Sequence, residues 1–293
     1  MMKRIAFMAV MAIVYPLSMV PLSILYVLSD LMYYCVYYFP GYRKKIVFSN
    51  LRNAFPDKSN DDLRIIAKNF YRNFCDIIIE NVKLINFSRE DVARRCTFSN
   101  LELVNDLCDR GKSVIMTLGH CGNWELTGLA ASLAVKQHTI TFYRTIKNIY
   151  FDRFSKNIRG KFGMELVPQT KARMMIRQEG KQPNMYIFIT DQTPSNVHTS
   201  YWTRFLNQDT SIFKGAEKFA KLTGHPVLHA EIQRAQRGYY TVEFKILRES
   251  PERTTEGEIT ELHTRALEND IVRNPDNWLW THRRWKLKKP VTK

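Results

Sequence analysis

The stretch TLGHCGNWELTG, residues 117–128, sets a base and a carboxylate five positions apart, His120 and Glu125. His120 closes a short apolar run, SVIMTLG (113–119), and Glu125 opens the helical pattern NWELTGLAASLAV (123–135). In an open α/β sheet, ligands gather at the carboxyl ends of the strands, so a histidine placed there borders a crevice. Glu125 is near enough in sequence for its carboxylate to curl back to one imidazole nitrogen, fixing the tautomer and stabilising the imidazolium. The other nitrogen is then free to take a proton from a hydroxyl. Two parts of a triad are present without a protein nucleophile, which places the nucleophile on a substrate. Spacing alone also admits a structural histidine beside a solvent-facing glutamate. Cys121 reads as a small packing residue.

The elements that must hold this pair follow from the pattern along the chain. Residues 43–56, RKKIVFSNLRNAFP, predict a basic amphipathic helix stopped by Pro56. Leu63, Ile66, Ala67, Phe70, Phe74, Ile77 and Ile78 recur at helical spacing within 60–85. Shorter helices are expected near 88–95 and 99–109. From 113 onward strands and helices alternate: strands at 113–119, 139–144, 164–168 and 184–191, helices at 123–135, 149–162, 171–180 and 211–224. A polar and aromatic loop is expected after 191, a hairpin around Arg237–Gly238, and a last helix at 256–273. This alternation argues an α/β fold with a central sheet flanked by helices. No glycine-rich nucleotide fingerprint or phosphate-binding loop is present, and no cofactor is expected.

The chain has 293 residues, 45% of them hydrophobic, enough for one substantial core. Its 44 Lys and Arg against 28 Asp and Glu leave a net charge of +16, so its partners are expected to be anionic. Five cysteines without CxxC spacing suggest neither a disulfide framework nor a zinc site. His225 and His229 lie four apart with no third ligand nearby, so no metal site is expected. Residues 5–29 carry no charge, a run longer than a signal peptide needs and long enough for a bilayer core. Pro16 and Pro21 interrupt it, and Tyr33, Tyr34, Tyr37, Tyr38 and Phe39 resemble an interfacial aromatic belt. Basic residues flank the segment on both sides (Lys3 and Arg4; Arg43, Lys44 and Lys45), which favours a re-entrant pair of helices over a single crossing. Residues 1–42 thus form an N-terminal membrane anchor or hairpin and 43–293 the main domain. A nucleic-acid binder would share the basic, aromatic composition. The apolar N-terminus, and the lack of any helix-turn-helix, RNA-recognition or zinc pattern, argue against it.

The string from His120 to Glu125, HCGNWE, resembles the H-x4-[D/E] signature of the lysophospholipid acyltransferase superfamily, and within it the lipid A late acyltransferases (lauroyl/myristoyl transferases). Other stretches follow in order: RKKIVFSNLRNAFP, similar to a basic helix of the family; FYRT (142–145), with Thr145 in place of a proline; TDQTPS (190–195); and PDNWLWTHRRWKLK (275–288). The resemblance implies a mixed, mostly parallel sheet of the glycerol-3-phosphate acyltransferase type. It implies acyl transfer from an acyl thioester, on acyl carrier protein or acyl-CoA, to a hydroxyl of a phosphorylated glycolipid at the cytoplasmic face of the cell inner membrane. His120 would be the general base and Glu125 its partner. Backbone N–H groups at the start of the 123–135 helix, or Arg144, would face the oxyanion. Residues 136–182 hold eleven Lys and Arg against three Asp and Glu. Arg144, Arg159 and Arg173 there, with Asn123, Asp191 and Gln192, are the substrate-binding candidates. Trp202 and Phe205 read as packing aromatics rather than acyl-pocket walls. Another lipid acceptor (a lysophospholipid, an amino-acid lipid or another glycolipid) fits the same pair, whereas a membrane-attached binding protein without chemistry would not need it.

Overall fold

The computed structural model describes residues 2–175, 182–194 and 200–290. Its elements run in chain order as α1 (Met2–Met19), α2 (Leu22–Tyr38), α3 (Lys44–Ala54), α4 (Asn60–Lys83), α5 (Arg89–Arg95), β1 (Cys96–Phe98), α6 (Leu101–Asp109), β2 (Val114–Leu118), α7 (Trp124–Ala134), β3 (His138–Tyr143), α8 (Ile149–Arg159), β4 (Glu165–Pro168), α9 (Ala172–Met175), β5 (Asn184–Ile189), β6 (Tyr201–Phe205), β7 (Gln208–Ile212), α10 (Gly215–Thr223), β8 (Val227–Gln236), β9 (Tyr239–Arg248) and α11 (Glu258–Arg273).

Seven strands form one sheet in the order β1-β9-β8-β2-β5-β3-β4. Only the β8–β9 hairpin pairs antiparallel; the other neighbours are parallel. β2, VIMTL, is buried along its whole length, as a parallel strand covered on both faces must be. Its alternate side chains serve two layers. Ile115 packs with Tyr186 and Phe188 of β5 against Ala216, Phe219 and Ala220 of α10. Met116 and Leu118 face the opposite side with Met185, Ile187 and the apolar residues of α7. The mostly parallel sheet flanked by helices is the fold expected from the alternation. Three strands were not legible in that pattern. β1 is only three residues long, and β6 and β7 form a separate antiparallel hairpin where a loop was expected, so the helix expected from 211 starts at Gly215.

The helices before the sheet are delimited by local chemistry. Ser59 and Asp62 form a reciprocal capping box on α4, and Ser88 and Asp91 form another on α5. α1 and α2 are separated by a break at Val20–Pro21. α1 is apolar and long enough to cross a bilayer, while the 17 residues of α2 are a shorter apolar helix. Both are docked on the body. Lys83 Nζ donates to the Ser18 and Val20 carbonyls at 2.8 and 3.0 Å, and Phe7 packs among Tyr150, Phe151 and Phe154 of α8. On α2, Ser29 Oγ donates to Asp76 at 2.6 Å and Tyr26 OH to Glu80 at 3.0 Å; Arg237 bridges Asp30 and Asp76. The opposite side leaves Ile5, Ile13, Ile24, Val27 and Leu31 exposed.

Candidate active site

His120 sits two residues beyond the end of β2, and Asp191 two residues beyond the end of β5. The strands are adjacent and parallel with Leu118 level with Ile189, and Thr190 N–H donates to the Leu118 carbonyl at 3.0 Å. That register brings positions 120 and 191 side by side. The His120 Nδ1 atom lies 2.6 Å from Asp191 Oδ1, and the His120 backbone N–H donates to Oδ2 at 2.8 Å. Trp278 Nε1, from the segment after α11, donates to the same Oδ2 at 2.8 Å. The carboxylate is buried and saturated with donors, so the Nδ1 proton points at it. Nε2 is then the basic nitrogen, and the Gln192 side-chain amide donates to it at 3.2 Å.

The electrostatics agree with this tautomer. Burial disfavours a charged imidazole, but the charge of Asp191 and its hydrogen bond outweigh that and hold the His120 pKa above the ordinary 6.5. Burial likewise opposes ionisation of Asp191, yet His120 and the donated hydrogen bonds hold its carboxyl far below 3.8. The Trp124 ring meets the imidazole edge-on, with centroids 4.8 Å apart.

Glu125 does not take the expected place on the ring. Its Oε2 accepts from Arg159 Nε at 2.7 Å, and Arg159 Nη2 closes a second contact to Oε1. The orienting carboxylate on the imidazole is therefore Asp191, and Glu125 fixes a guanidinium instead, a bidentate pairing that suits arginine. Asn123, expected to meet substrate, is fully buried. Its Oδ1 caps α7 at the Leu126 N–H (3.0 Å) and its Nδ2 donates to Glu80 at 2.9 Å, so no polar atom is left for a ligand. Gly122, at φ 52°, provides the left-handed turn between His120 and that cap, and a Cβ there would press on Ile232 and Tyr240.

A cavity of about 260 Å³ opens at His120, Glu125, Arg144, Arg159 and Gln192. It continues between α7 and the sheet past Met116, Leu129, Met164 and Met185 to Phe98 and Phe244. Three of the expected binding residues thus share its wall or mouth with His120: Arg144, Arg159 and Gln192; Asp191 is buried behind the imidazole and does not line it. Arg173 falls in α9, and its side chain lies outside the described residues, as do the 176–180 end of the expected 171–180 helix and Ser195 of the TDQTPS stretch. Phe205 packs against Trp278 and Trp285, away from the cavity wall, as a packing aromatic does. Cys121 is buried, its thiol pushed well above the usual value by burial and by nearby carboxylates, so it is no nucleophile. His229 Nε2 lies 2.7 Å from Asp270 Oδ2 inside the core, and His225, before β8, stacks on Tyr186.

A histidine held by a buried carboxylate thus stands at the mouth of an apolar cavity flanked by arginines. Over residues 1–287 the chain matches the family of bacterial lipid A biosynthesis acyltransferases, and it belongs to that family. Membership makes it an acyltransferase of lipopolysaccharide assembly, in a family that is typically membrane-associated. No curated protein matches the chain significantly.

Proposed function

We propose that the protein moves a fatty acyl chain from an acyl thioester to a hydroxyl of a phosphorylated lipid A precursor, with His120 as general base and Asp191 as its orienting acid. The observation that carries this reading is the 2.6 Å contact of Asp191 with Nδ1, which leaves Nε2 as the acceptor nitrogen at the mouth of an apolar cavity, met there by the Gln192 amide. The acyl chain lies under α7, where burying each methylene is worth about 0.8 kcal/mol. The acceptor hydroxyl gives its proton to Nε2 as its oxygen attacks the thioester carbonyl. The carbon–oxygen bond forms and the carbonyl becomes an oxyanion. Arg144, Arg159 held by Glu125, and the Gln192 amide place positive charge and a donor on that side. When the carbon–sulfur bond breaks, the imidazolium returns its proton to the departing sulfur, and ester and free thiol leave.

The strong positive charge suits an acidic carrier protein as donor. The basic residues on both sides of 5–29 and the paired α1 and α2 suit a hairpin dipping into the inner membrane from its cytoplasmic face, with 43–293 as the acyltransferase body. The test is acyl transfer by detergent-purified protein from acyl carrier thioester to a lipid A precursor, followed by mass spectrometry. His120→Ala is expected to lower kcat by roughly 10³-fold, with the protein still folded but its melting temperature lowered by loss of the ion pair with Asp191. Full activity in that variant would end the assignment.

A further inference from the structure

His120 and Trp124 form a wall shared by two cavities. Beyond the apolar chamber under α7, a second cavity of about 360 Å³ lies between α4 and the C-terminal segment. Phe70, Phe74, Ile77 and Ile78 line one side of it; Trp278, Leu279 and His282 line the other. Asn81 lines it as well, and its buried Oδ1 has no hydrogen-bond partner. A buried unpaired acceptor costs about 1–3 kcal/mol unless a ligand donor meets it.

Arg43 lines this cavity and also an adjoining open cleft of about 890 Å³. That cleft gathers Lys44, Lys45, Arg52 and Arg283 around Arg43, with no carboxylate in its lining. Among the described residues none of the five makes an ion pair; Arg43 donates to the Thr281 carbonyl at 3.1 Å, and Lys44 lies 3.9 Å over the Tyr37 ring. Arg43 is held in the left-handed region at φ 52°, a conformation that non-glycine residues keep only where the surroundings impose it. Five uncompensated cations repel one another and focus a field that an anion would relieve. The cleft opens beside the exposed rings of Tyr38, Phe39 and Tyr42, at the foot of the apolar α2, so an anion reaching it there is carried by a lipid.

We infer that a phosphate of the acceptor glycolipid sits in the Arg43 cleft while its hydroxyl-bearing chain passes through the second cavity to His120, leaving the chamber under α7 to the donor's acyl chain. This assignment of the two cavities rests on the acyl-transfer reading. The two substrates meet at the imidazole from opposite sides, and the phosphate anchor sets which hydroxyl arrives there. Asn81 Oδ1 accepts from a donor on the threaded chain.

The test uses the full chain in nanodiscs of neutral phosphatidylcholine. The probe is a bis-phosphorylated, hydroxyacylated glucosamine disaccharide, alone and after phosphatase treatment. In the Lys45→Gln/Arg52→Gln/Arg283→Gln variant the KM for the phosphorylated probe should rise roughly tenfold, the donor KM should move less than about twofold, and the preference for the phosphorylated over the dephosphorylated probe should disappear. The charge-keeping Lys45→Arg/Arg52→Lys/Arg283→Lys variant should restore most of the loss. A rise in donor KM instead would assign the cleft to the carrier protein and overturn the proposal, as would a phosphate preference that survives the triple variant. Equal weakening toward phosphatidylglycerol added to the nanodiscs would reduce the cleft to a general anionic-surface contact and overturn it too. Direct binding of the probe, read by thermophoresis, separates this from the reaction. Cleft-dependent binding without any transfer by wild type would keep the cleft and sink the acyl-transfer reading, and transfer with cleft-independent binding would do the reverse.

Discussion

Two buried carboxylates hold the turn between β2 and α7, and they do opposite things. Asp191 takes His120, the Trp278 indole and a backbone N–H on one side, and its partner ring opens onto two cavities. Glu80, on α4, takes Asn123, Tyr240 and Tyr26, and every one of those partners points inward or to the N-terminal helices. Burial raises the Glu80 carboxyl above its usual range despite these donors, whereas the imidazole keeps Asp191 ionised. Burial of an acid is common to both. The difference is whether the group it holds lines a cavity, and that separates a carboxylate that orients an imidazole at a cavity mouth from one that fastens a scaffold.

Substitutions can break or sharpen this contrast. The largest effect is expected at Asp191→Asn, where the imidazole loses its tautomer and its charge partner. The value of kcat should fall roughly 10²-fold or more. In wild type the base must be neutral, so kcat/KM should climb with pH through an apparent pKa above 6.5, and in Asp191→Asn that limb should move to lower pH. The stability of the pair has its own window. The raised His120 pKa stabilises the fold below 6.5, a contribution lost as pH rises through the folded value. The depressed Asp191 pKa stabilises it above 3.8, lost as pH falls through the folded value. The melting-temperature gap between wild type and Asp191→Asn should therefore be widest between these ordinary values, and a gap independent of pH would contradict the ion pair. Glu80→Gln comes next. It should cost about 1–3 kcal/mol of stability in denaturant unfolding, with kcat changed by only a few-fold. A loss of kcat as large as that at Asp191 would erase the distinction. The smallest effect is expected at Cys121→Ser, where activity should stay within about threefold because the thiol is buried and protonated. Abolished transfer would reopen covalent catalysis.

How much of this is legible in the sequence depends on how far the partners lie along the chain. His120 at a strand end and Glu125 in the next helix follow from local pattern, and both do line one cavity. The partnership assumed between them was the nearest one in sequence. The true partner of the ring is 71 residues away, and only the adjacency of β2 and β5 makes it a neighbour. Strand order is set by packing over the whole sheet, which no window of one sequence contains. Asp191 and Gln192 could still be placed at the crevice, since each follows a strand. Asn123 misled for a different reason: an N-cap asparagine and a ligand-binding asparagine look alike until the first turn of the helix is built. Trp278 sat in a stretch already noted at the C-terminus, yet nothing local shows that its N–H would cap an acid 87 positions earlier. The short β1 and the β6–β7 hairpin lack the length and alternation from which strands are read.

The docking of α2 through Ser29, Tyr26 and Asp30 has a practical reach. Tyr26 and Asn123 meet on the same Glu80, so the greasy leader and the reactive turn are two ends of a single brace. Trimming the first 38 residues to obtain a detergent-free enzyme would strip a donor from that buried acid and loosen the cap beneath His120. A shortened chain that dissolves readily would then be a poor stand-in for the enzyme, and inhibitors ranked on it would be ranked against a slackened target.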